Sequence, residues 1–275
     1  MFYWIIGVLA LGIALYFLDR EIYFYEATHF GARVQSWFYD HWAAKYDKGK
    51  AESIARDAEM LARPILDFLQ SAPAPLVVDL ATGTGRLPLA LLRESEFKGH
   101  VVALDVSTGM LAQAAQKLEK YRSRFTLAQR LDYPLPFPDA TFDVVSCMEA
   151  LEVMPEMQTP LAELFRVLKP GGMLITSRAT NASGRKAKVL SAEAFKKMTQ
   201  EIGFEQVEIV AWWRWFDRVT ARKPGAFSPA DTRSILAALA CDKCHATHFE
   251  EVGGGLSCSN CGNKIQKNDD GILLT

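Results

Sequence analysis

The fold is decided by a short stretch that reads Val78-Asp79-Leu80-Ala81-Thr82-Gly83-Thr84-Gly85-Arg86. Its apolar start, with Leu76 and Val77 before it, predicts a buried β-strand, and the residues from Leu87 onward predict a helix. The two glycines between these elements allow a tight turn and let a ligand approach the backbone without meeting a Cβ. A strand, a glycine turn and a helix in this order predict the nucleoside-binding unit of an α/β protein.

Two carboxylates flank this turn. Asp105 ends the next predicted strand, twenty residues after Gly85, where a carboxylate can accept hydrogen bonds from two ribose hydroxyls. Asp79 lies just ahead of the turn, where its charge would repel a phosphate but suits the amino group of a methionine moiety. Pro88 occupies the position of the third glycine of a dinucleotide-binding fingerprint. These features argue against a dinucleotide ligand.

Short apolar runs and helical stretches alternate along residues 51–224. Strands are predicted at residues 76–80, 101–105, 142–147, 173–177, 207–211 and 218–221, and helices at residues 51–70, 87–94, 110–121, 159–168 and 191–202. The alternation predicts an α/β fold, a Rossmann-like and mainly parallel sheet of seven strands with helices on both faces. Trp212–Phe216 is too short for a crossover helix, so the last two strands should form an antiparallel hairpin.

The composition is that of an ordinary globular protein. The chain has 275 residues, of which 49% are hydrophobic and 23% are charged, and these values exclude wholesale disorder, collagen and coiled coil. The net charge of −1 lacks the basic excess that is typical of nucleic-acid-binding proteins, so a nucleic-acid partner is not favoured, although a basic stripe could still provide one. That stripe would comprise Arg178, Arg185, Lys186, Lys188, Lys196 and Lys197.

The first eighteen residues differ from the rest of the chain. Residues 2–18 carry no charge and would span about 25 Å as a helix, which predicts a short transmembrane helix over residues 1–18. The alternative is an N-terminal helix buried in the domain. Lysine and arginine occur only after the apolar run, so the positive-inside rule predicts a single-pass membrane protein with its body in the cytoplasm. Residues 19–50 are rich in aromatic side chains, which either lie along the membrane or pack on the domain.

Four of the five cysteines form two C-x-x-C pairs near the C-terminus, at Cys241, Cys244, Cys258 and Cys261. Two thiolates at this spacing chelate one side of a tetrahedral ion, and a second pair completes four ligands. Because all four positions are cysteine, we expect a structural zinc ion in a zinc ribbon over residues 239–275. The glycines at 253–255 suit a hairpin tip between the two pairs.

Four motifs in order resemble the class I S-adenosylmethionine-dependent methyltransferases, particularly the branch of the ubiquinone and menaquinone biosynthesis enzymes. They are Val78–Gly85, Leu104-Asp105-Val106-Ser107-Thr108-Gly109-Met110-Leu111, the stretch from Leu135-Pro136-Phe137-Pro138 to Val145, and Arg166-Val167-Leu168-Lys169-Pro170-Gly171-Gly172-Met173-Leu174. Upstream, Tyr39-Asp40-His41-Trp42-Ala43-Ala44-Lys45-Tyr46-Asp47 is similar to the segment that often precedes this domain. The resemblance covers residues 37–224.

The resemblance implies that S-adenosylmethionine is the cofactor and which residues bind it. They are Asp79, Ala81, Thr82, Gly83, Thr84 and Gly85 at the methionine end, Asp105 at the ribose, and Val106, Met110 and Asp132 at the adenine. Asp132 is shifted by one position from the family pattern, so the adenine contact is either rebuilt or lost. No catalytic residue stands out, and the candidates for a general base are Tyr39, His41, Tyr46 and Glu149.

The predicted organisation has five segments: a transmembrane helix (1–18), an aromatic-rich juxtamembrane and lid segment (19–50), the methyltransferase domain (51–224), a linker (225–238) and the zinc ribbon (239–275). The ribbon resembles the zinc-ribbon activator of certain tRNA and protein methyltransferases. The sequence predicts a membrane-anchored methyltransferase that acts on a small, lipophilic acceptor such as a quinone or lipid. Two alternatives are a methyltransferase of RNA or protein that docks through the ribbon, and a non-catalytic membrane adaptor.

Overall fold

The computed structural model describes residues 2–24, 26–70, 72–181, 189–229 and 238–275. The helices are α1 (Phe2–Phe24), α2 (Ala32–Tyr46), α3 (Ala51–Ile54), α4 (Arg63–Leu69), α5 (Arg86–Arg93), α6 (Thr108–Leu118), α7 (Gln158–Val167) and α8 (Ala192–Ile202). The strands are β1 (Leu76–Leu80), β2 (His100–Asp105), β3 (Phe125–Gln129), β4 (Phe142–Cys147), β5 (Leu168–Ala179), β6 (Glu205–Trp213), β7 (Phe216–Arg222), β8 (Phe249–Val252), β9 (Gly255–Cys258), β10 (Lys264–Lys267) and β11 (Leu273–Leu274). Arg185, Lys186 and Lys188 of the basic stripe, and most of the expected linker, lie outside the described residues.

One sheet organises the molecule, in the order β6-β7-β5-β4-β1-β2-β3-β11-β10-β9-β8. β5, β4, β1, β2 and β3 run parallel, and β7 pairs antiparallel with both β5 and β6. The mainly parallel α/β sheet and the final antiparallel hairpin are therefore confirmed. β1 is buried along its whole length, and β2 is buried at every residue after His100, as strands covered by helices on both faces must be.

Two parts of this sheet region differ from the expectation. β3 was not predicted, because its short sequence Phe-Thr-Leu-Ala-Gln has only a weak alternating pattern. The single helix predicted over residues 51–70 is instead α3, a π-helix at Ala58–Ala62 and α4. Pro64 lies in the first turn of α4 and has no N–H to donate to the preceding turn, so the regular helix restarts there.

Helix α1 projects away from the domain. It runs past Leu18, through Asp19, Arg20 and Glu21, and its side chains from Tyr3 to Asp19 are exposed, with Tyr3 at 85%. Over the described ranges, no helix has the combined length and apolar character that crossing a membrane requires. The transmembrane helix expected over residues 1–18 is thus corrected to an exposed helix that includes charged residues, and the buried alternative does not fit the exposure either.

The C-terminal strands join the main sheet. β11 pairs in parallel with β3, and the backbone N–H of Thr275 donates to the carbonyl of Gln129. The N–H of Ala240 donates to the carbonyl of Pro136. Leu256, Ile265 and other buried residues of the C-terminal strands belong to the same hydrophobic cluster as Val78 of β1. Residues 239–275, called the cysteine module below, are thus packed against β3, the edge strand of the methyltransferase domain.

Candidate functional site

The glycine turn after β1 has the backbone conformation that its two glycines predict. Gly83 and Gly85 have φ angles of +55° and +79°, in the left-handed region where glycine is favoured. A Cβ added to Gly85 would lie 3.1 Å from the Cβ of Ala114, so the glycine also permits close approach of α6. The N–H of Thr82 donates to the carbonyl of Leu104 at 2.9 Å, which ties the turn to β2.

Asp105 lies at the end of β2, directly beside this turn. Its carboxylate accepts hydrogen bonds from the N–H of Gly83 at 2.7 Å and from the N–H of Ser107 at 2.9 Å. Burial raises the pKa of Asp105 to about 6. An ionised carboxylate oxygen has more than one acceptor direction, so the two oxygens can still accept hydrogen bonds from hydroxyls of a ligand. Asp105 lines a cavity of about 470 Å³, within the range of small-molecule sites.

The cavity is lined by both polar and apolar residues. Gly83, Asp105, Val106 and Met110, which the sequence predicts to bind the cofactor, all line it. The other apolar lining residues include Leu135, Met148, Val153, Met154, Pro155 and Pro160. Thr28, Ala32, Gln35 and Tyr39 come from the chain around α2, which therefore forms one wall.

Asp79 lines a second, smaller recess of about 30 Å³ rather than the main cavity. Its carboxylate accepts hydrogen bonds from the hydroxyls of Thr82 and Ser146, both at 2.6 Å. Burial raises the pKa of Asp79 to about 6. The recess and the main cavity share the walls made by Tyr46, Gly83 and neighbouring residues, so the two spaces adjoin across the glycine turn.

Lys50, Arg86 and Glu149 line this recess and form, with Asp57, a chain of buried ion pairs. Sequence reasoning missed these pairs. Glu149 accepts from Lys50 Nζ at 2.5 Å and from Arg86 Nη1 at 2.7 Å, and Arg86 also donates twice to Asp57. Burial by itself would raise the pKa of Glu149, but Lys50 and Arg86 outweigh it and hold that pKa below its ordinary value. Burial would likewise lower the pKa of Lys50, yet Tyr46 and Glu149 carry it above its ordinary value. The four charges balance, which makes their burial tolerable.

Two further aspartates join α2 and the turn after it to the glycine turn and to α6. Asp40 accepts from the hydroxyl of Ser107 at 2.6 Å and from the N–H of Gly109 at 2.7 Å. Asp47, just after α2, accepts from the hydroxyl of Thr84 at 2.6 Å and from Lys117 at 2.6 Å. Both belong to the segment Tyr39–Asp47, and its resemblance to the stretch that precedes this domain in the family was the signal that could have found them.

The four candidates for a general base occupy different places. Tyr39 and Tyr46 line the cavity, and the Tyr39 hydroxyl donates to the buried carboxylate of Glu26. Glu149 also lines it, but its carboxylate is engaged by two cations. His41 is exposed, does not line the cavity, and has its Nδ1 2.8 Å from the carbonyl of Trp37. Burial raises the pKa of Tyr46, which disfavours its ionised form.

Asp132 lies on the rim of the cavity, and its side chain is 77% exposed. It pairs with the Nε of Arg130 at 3.1 Å. Arg130 also binds Asp242 of the cysteine module at 3.0 Å and the carbonyl of Pro134 at 2.7 Å. The wall on the expected adenine side is therefore built around Arg130, which the sequence did not single out as functional.

The four expected metal ligands come together. The sulfurs of Cys241, Cys244, Cys258 and Cys261 all lie within 4.8 Å of one another, and two of the pairs are 3.6 Å apart. Tetrahedral zinc with bonds of about 2.3 Å requires sulfurs separated by about 3.8 Å. The cluster is therefore compatible with a zinc ion that all four thiolates ligate.

The fold and the site define a class of protein. A mainly parallel α/β sheet, a glycine turn after its first strand and a buried acid after its second form a nucleoside-binding enzyme of the Rossmann-like class. Residues 77–172 match the family described as a methyltransferase domain.

The chain belongs to the class I S-adenosylmethionine-dependent methyltransferases. It is 30% identical over 188 residues to the ubiquinone/menaquinone biosynthesis C-methyltransferase UbiE of Geobacter sulfurreducens, which covers 67% of this chain and 73% of that protein. It is 32% identical over 212 residues to the human methyltransferase-like protein 27, covering 70% of this chain and 82% of that protein. The fold is shared with a SAM-dependent methyltransferase from Aquifex aeolicus at a TM-score of 0.51 and 23% identity, over 61% of this chain and 92% of that one. The protein is therefore a methyltransferase.

The residues present fit S-adenosylmethionine. The N–H of Gly83 donates to the carboxylate of Asp105, the residue expected at the ribose, and Val106 and Met110, expected at the adenine, line the same cavity. Asp79, expected at the methionine end, lies beside the turn. When bound, the sulfonium supplies an electrophilic methyl group. The protein's own task is to align an acceptor with that methyl group and to keep water out, since in-line displacement depends mainly on orientation.

Proposed function

We propose that this methyltransferase transfers a methyl group to a carbon of a small, lipophilic ring acceptor of the quinol type, and that it meets this acceptor at a membrane surface. The predominantly apolar lining of the cavity is the observation that carries the proposal. Leu135, Val153, Met154 and Pro160 line the same cavity as Asp105, and none of these four side chains carries charge. A highly charged acceptor would lose much of its hydration against such a lining.

The named relative supports the same acceptor class. The Geobacter protein is a C-methyltransferase of ubiquinone and menaquinone biosynthesis, by its name. Carbon methylation of an aromatic ring forms one C–C bond, breaks the bond between sulfur and methyl, and releases one ring proton. A phenolic hydroxyl on the ring must donate electrons to the attacking carbon, so a neighbouring proton acceptor accelerates the step.

Tyr39 is suited to assist this proton transfer. It lines the cavity, and its hydroxyl already donates to the carboxylate of Glu26, which is 5% exposed. A proton leaving the acceptor can pass to the Tyr39 oxygen as the Tyr39 proton moves to Glu26. We assign Tyr39 to the reacting end of the cavity and Glu26 to the end of this relay.

Exposed apolar surface supports association with lipid. The apolar side chains of α1 from Tyr3 to Leu18 are exposed, and Phe30, Val34 and Trp37 in and just before α2 are 53%, 42% and 61% exposed. Val34 and Trp37 lie on the side of α2 opposite Ala32, Gln35 and Tyr39, which line the cavity. The same helix thus separates the cavity from a face that suits a lipid surface.

We also propose that the cysteine module binds structural zinc and supports the edge of the sheet. Its four thiolates have the spacing of a tetrahedral site, and β11 covers the hydrogen-bonding edge of β3. An uncovered edge strand invites pairing with other chains, so this cover favours a monodisperse protein.

A competition between acceptor classes tests the proposed function. The full chain is incubated with S-adenosylmethionine labelled in its methyl group, together with quinol in phospholipid vesicles, total RNA and soluble protein extract. We expect label in the lipid-soluble fraction, on a product heavier by one CH₂ whose new methyl is on a ring carbon. Label in RNA or protein would replace this proposal by the macromolecular alternative, and cofactor binding without label in any fraction would favour an adaptor.

A further inference from the structure

Gln35 lies on the wall of the cavity that α2 forms, and hydrogen bonds hold its amide in one orientation. Its Nε2 donates to the carbonyl of Val153 at 3.3 Å and to the hydroxyl oxygen of Thr28 at 3.2 Å. A backbone carbonyl can only accept, so the amide must turn its nitrogen, not its oxygen, towards Val153. The hydroxyl of Thr28 donates to the same carbonyl, which leaves the Thr28 oxygen to accept the second N–H. Both donors of Gln35 are thus used within the wall.

The amide oxygen of Gln35 is the group that remains for a ligand. Within the part of the chain that the structure describes, Oε1 accepts no hydrogen bond, and this oxygen is not buried. Gln35 is half-buried, lies on the side of α2 opposite Val34 and Trp37, and lines the cavity. The cavity is therefore the accessible space beside this oxygen, and a group bound there can donate to it.

The neighbouring polar side chains of the same wall also have their protons engaged. Thr28 donates its proton to the carbonyl of Val153. Tyr39 lies one helical turn from Gln35 and donates its proton to Glu26. Thr28, Gln35 and Tyr39 line the cavity together and offer no N–H or O–H group to a ligand in this arrangement. A ligand hydroxyl finds an acceptor in Gln35, whereas a ligand oxygen without a proton would meet its lone pairs.

We propose that Gln35 is a specificity-determining residue whose amide oxygen accepts a hydrogen bond from a ring hydroxyl of the methyl acceptor. The role rests on the proposed function and adds to it the residue that distinguishes a hydroxyl-bearing ring from one whose oxygens carry no proton. This selection serves the reaction, because the hydroxyl supplies the electrons that the attacking ring carbon needs. Gln35 lies outside the matched family range of 77–172, so its role belongs to the α2 wall of this chain.

Two naphthalene probes and one variant test this role. Naphthalene-1,4-diol, kept under argon, carries two hydroxyls, and 1,4-dimethoxynaphthalene has its oxygens in the same positions without a proton on either. Their dissociation constants are measured by calorimetry on the full chain with S-adenosylhomocysteine bound, for the wild type and for Gln35→Met, which removes the amide and keeps the length of the side chain. We expect Gln35→Met to raise the dissociation constant of the diol about fivefold, as for one lost neutral hydrogen bond, and to leave that of the dimethoxy compound unchanged.

A glutamine outside the cavity is the matched control. Gln200 is an exposed residue of α8 that does not line the cavity, so Gln200→Met should change neither dissociation constant. The affinity for S-adenosylhomocysteine should be the same in all three proteins, which shows that the cofactor site is intact. An unchanged affinity of Gln35→Met for the diol, or an equal loss for both probes, would overturn the role of Gln35 and leave the proposed function standing. If the wild-type chain bound neither probe, the proposed function would fail and the role of Gln35 with it.

Discussion

At the scale of single residues, the buried carboxylates of the site make cofactor binding depend on pH. The pKa of Asp105 is raised to about 6 by burial, from an ordinary value of 3.8. Ribose hydroxyls bind best to the ionised form, so affinity should be near its maximum at pH 7 and above, be about halved at pH 6 and be about tenfold lower at pH 5. Titrations of S-adenosylhomocysteine between pH 5 and pH 8 measure this dependence.

The contribution of Asp105 to folding stability has the opposite pH dependence, so a change in affinity can be distinguished from a change in stability. Because the folded pKa of Asp105 is above the unfolded value, the folded chain binds the proton more tightly, and this group favours folding more as pH falls from 6 towards 3.8. Loss of affinity at pH 5 is then not unfolding caused by Asp105. Asp105→Asn should have weak affinity at every pH, while the exposed Asp139→Asn should behave as wild type. A flat pH profile for the wild-type chain would contradict the assigned role.

Tyr39 offers a second test at this scale. Tyr39→Phe removes the hydroxyl that donates to Glu26 but keeps the ring on the cavity wall. We expect kcat on a quinol acceptor to fall by 10² to 10⁴, the usual contribution of a general base, while the dissociation constant of the cofactor stays the same. His41→Phe changes an exposed residue outside the cavity and is the control. An unchanged kcat in Tyr39→Phe would remove Tyr39 from the proton transfer.

Local spacing reveals only some residues of the site. The positions of Gly83, Asp79 and Asp105 follow from a strand, a turn and the next strand, all within thirty residues. Lys50 and Trp212 could not be found this way, because they meet in the recess although they lie 162 positions apart in sequence. Their pairing depends on where β6 lies in the sheet, and no local pattern encodes that position.

At the scale of elements, the cysteine module and β3 support each other. β11 pairs with β3, Arg130 binds Asp242, and the buried side chains of the module pack in the same cluster as the main sheet. Loss of the metal should therefore destabilise the whole chain, because the packing around β3 is lost with the module. A module held only by a linker would instead unfold by itself.

The double variant Cys241→Ser and Cys244→Ser tests this coupling. We expect it to release zinc and to lower the single Tm of the chain by several degrees, since a structural zinc site contributes directly to folding free energy. Metal analysis and calorimetry on the full chain provide both readouts. His248→Ala changes an exposed residue of the same module and should keep the metal. A separate low-temperature transition with an unchanged main Tm would show that the module folds independently.

Sequence patterns predicted the positions of helices and strands better than they predicted which strands pair. β1 at Leu76–Leu80 and β4 at Phe142–Cys147 begin and end at the predicted residues, because both are apolar runs bounded by turn signals or charge. The edge position of β3 and its pairing with β11 were missed. Two residues of β11 carry no recognisable periodicity, and their partner lies about 145 positions earlier in the chain.

At the scale of the whole molecule, the distribution of exposed apolar surface indicates an interaction site, which the net charge of −1 does not. Most of the large hydrophobic side chains with more than half of their surface exposed lie on α1 or in the short segment through α2. On the rest of the surface that the structure describes, exposed large hydrophobic side chains are isolated, as at Val210 and Val252. Single exposed apolar residues are ordinary, whereas a contiguous apolar surface marks an interaction site.

This asymmetry leads to a prediction about where the enzyme works. Deleting residues 2–18 removes the exposed apolar part of α1 and keeps Glu21, whose carboxylate accepts from the N–H of His29 next to the cavity-lining Thr28. We expect the dissociation constant of S-adenosylhomocysteine to stay the same, because residues 3–18, whose exposed side chains the structure describes, do not line the cavity. Methylation of a quinol carried in phosphatidylethanolamine and phosphatidylglycerol vesicles should fall at least tenfold, because the truncated enzyme no longer concentrates at the surface that holds its substrate. The same quinol dissolved in detergent should be methylated equally by the full and the truncated chain. Val210→Asp alters an exposed apolar residue on β6, far from α1 in sequence, and should match the wild type in both assays. Equal rates of the full and truncated chains on vesicles would show that α1 has no part in reaching the acceptor, and the lipid-surface proposal would then be withdrawn in favour of an acceptor taken from solution.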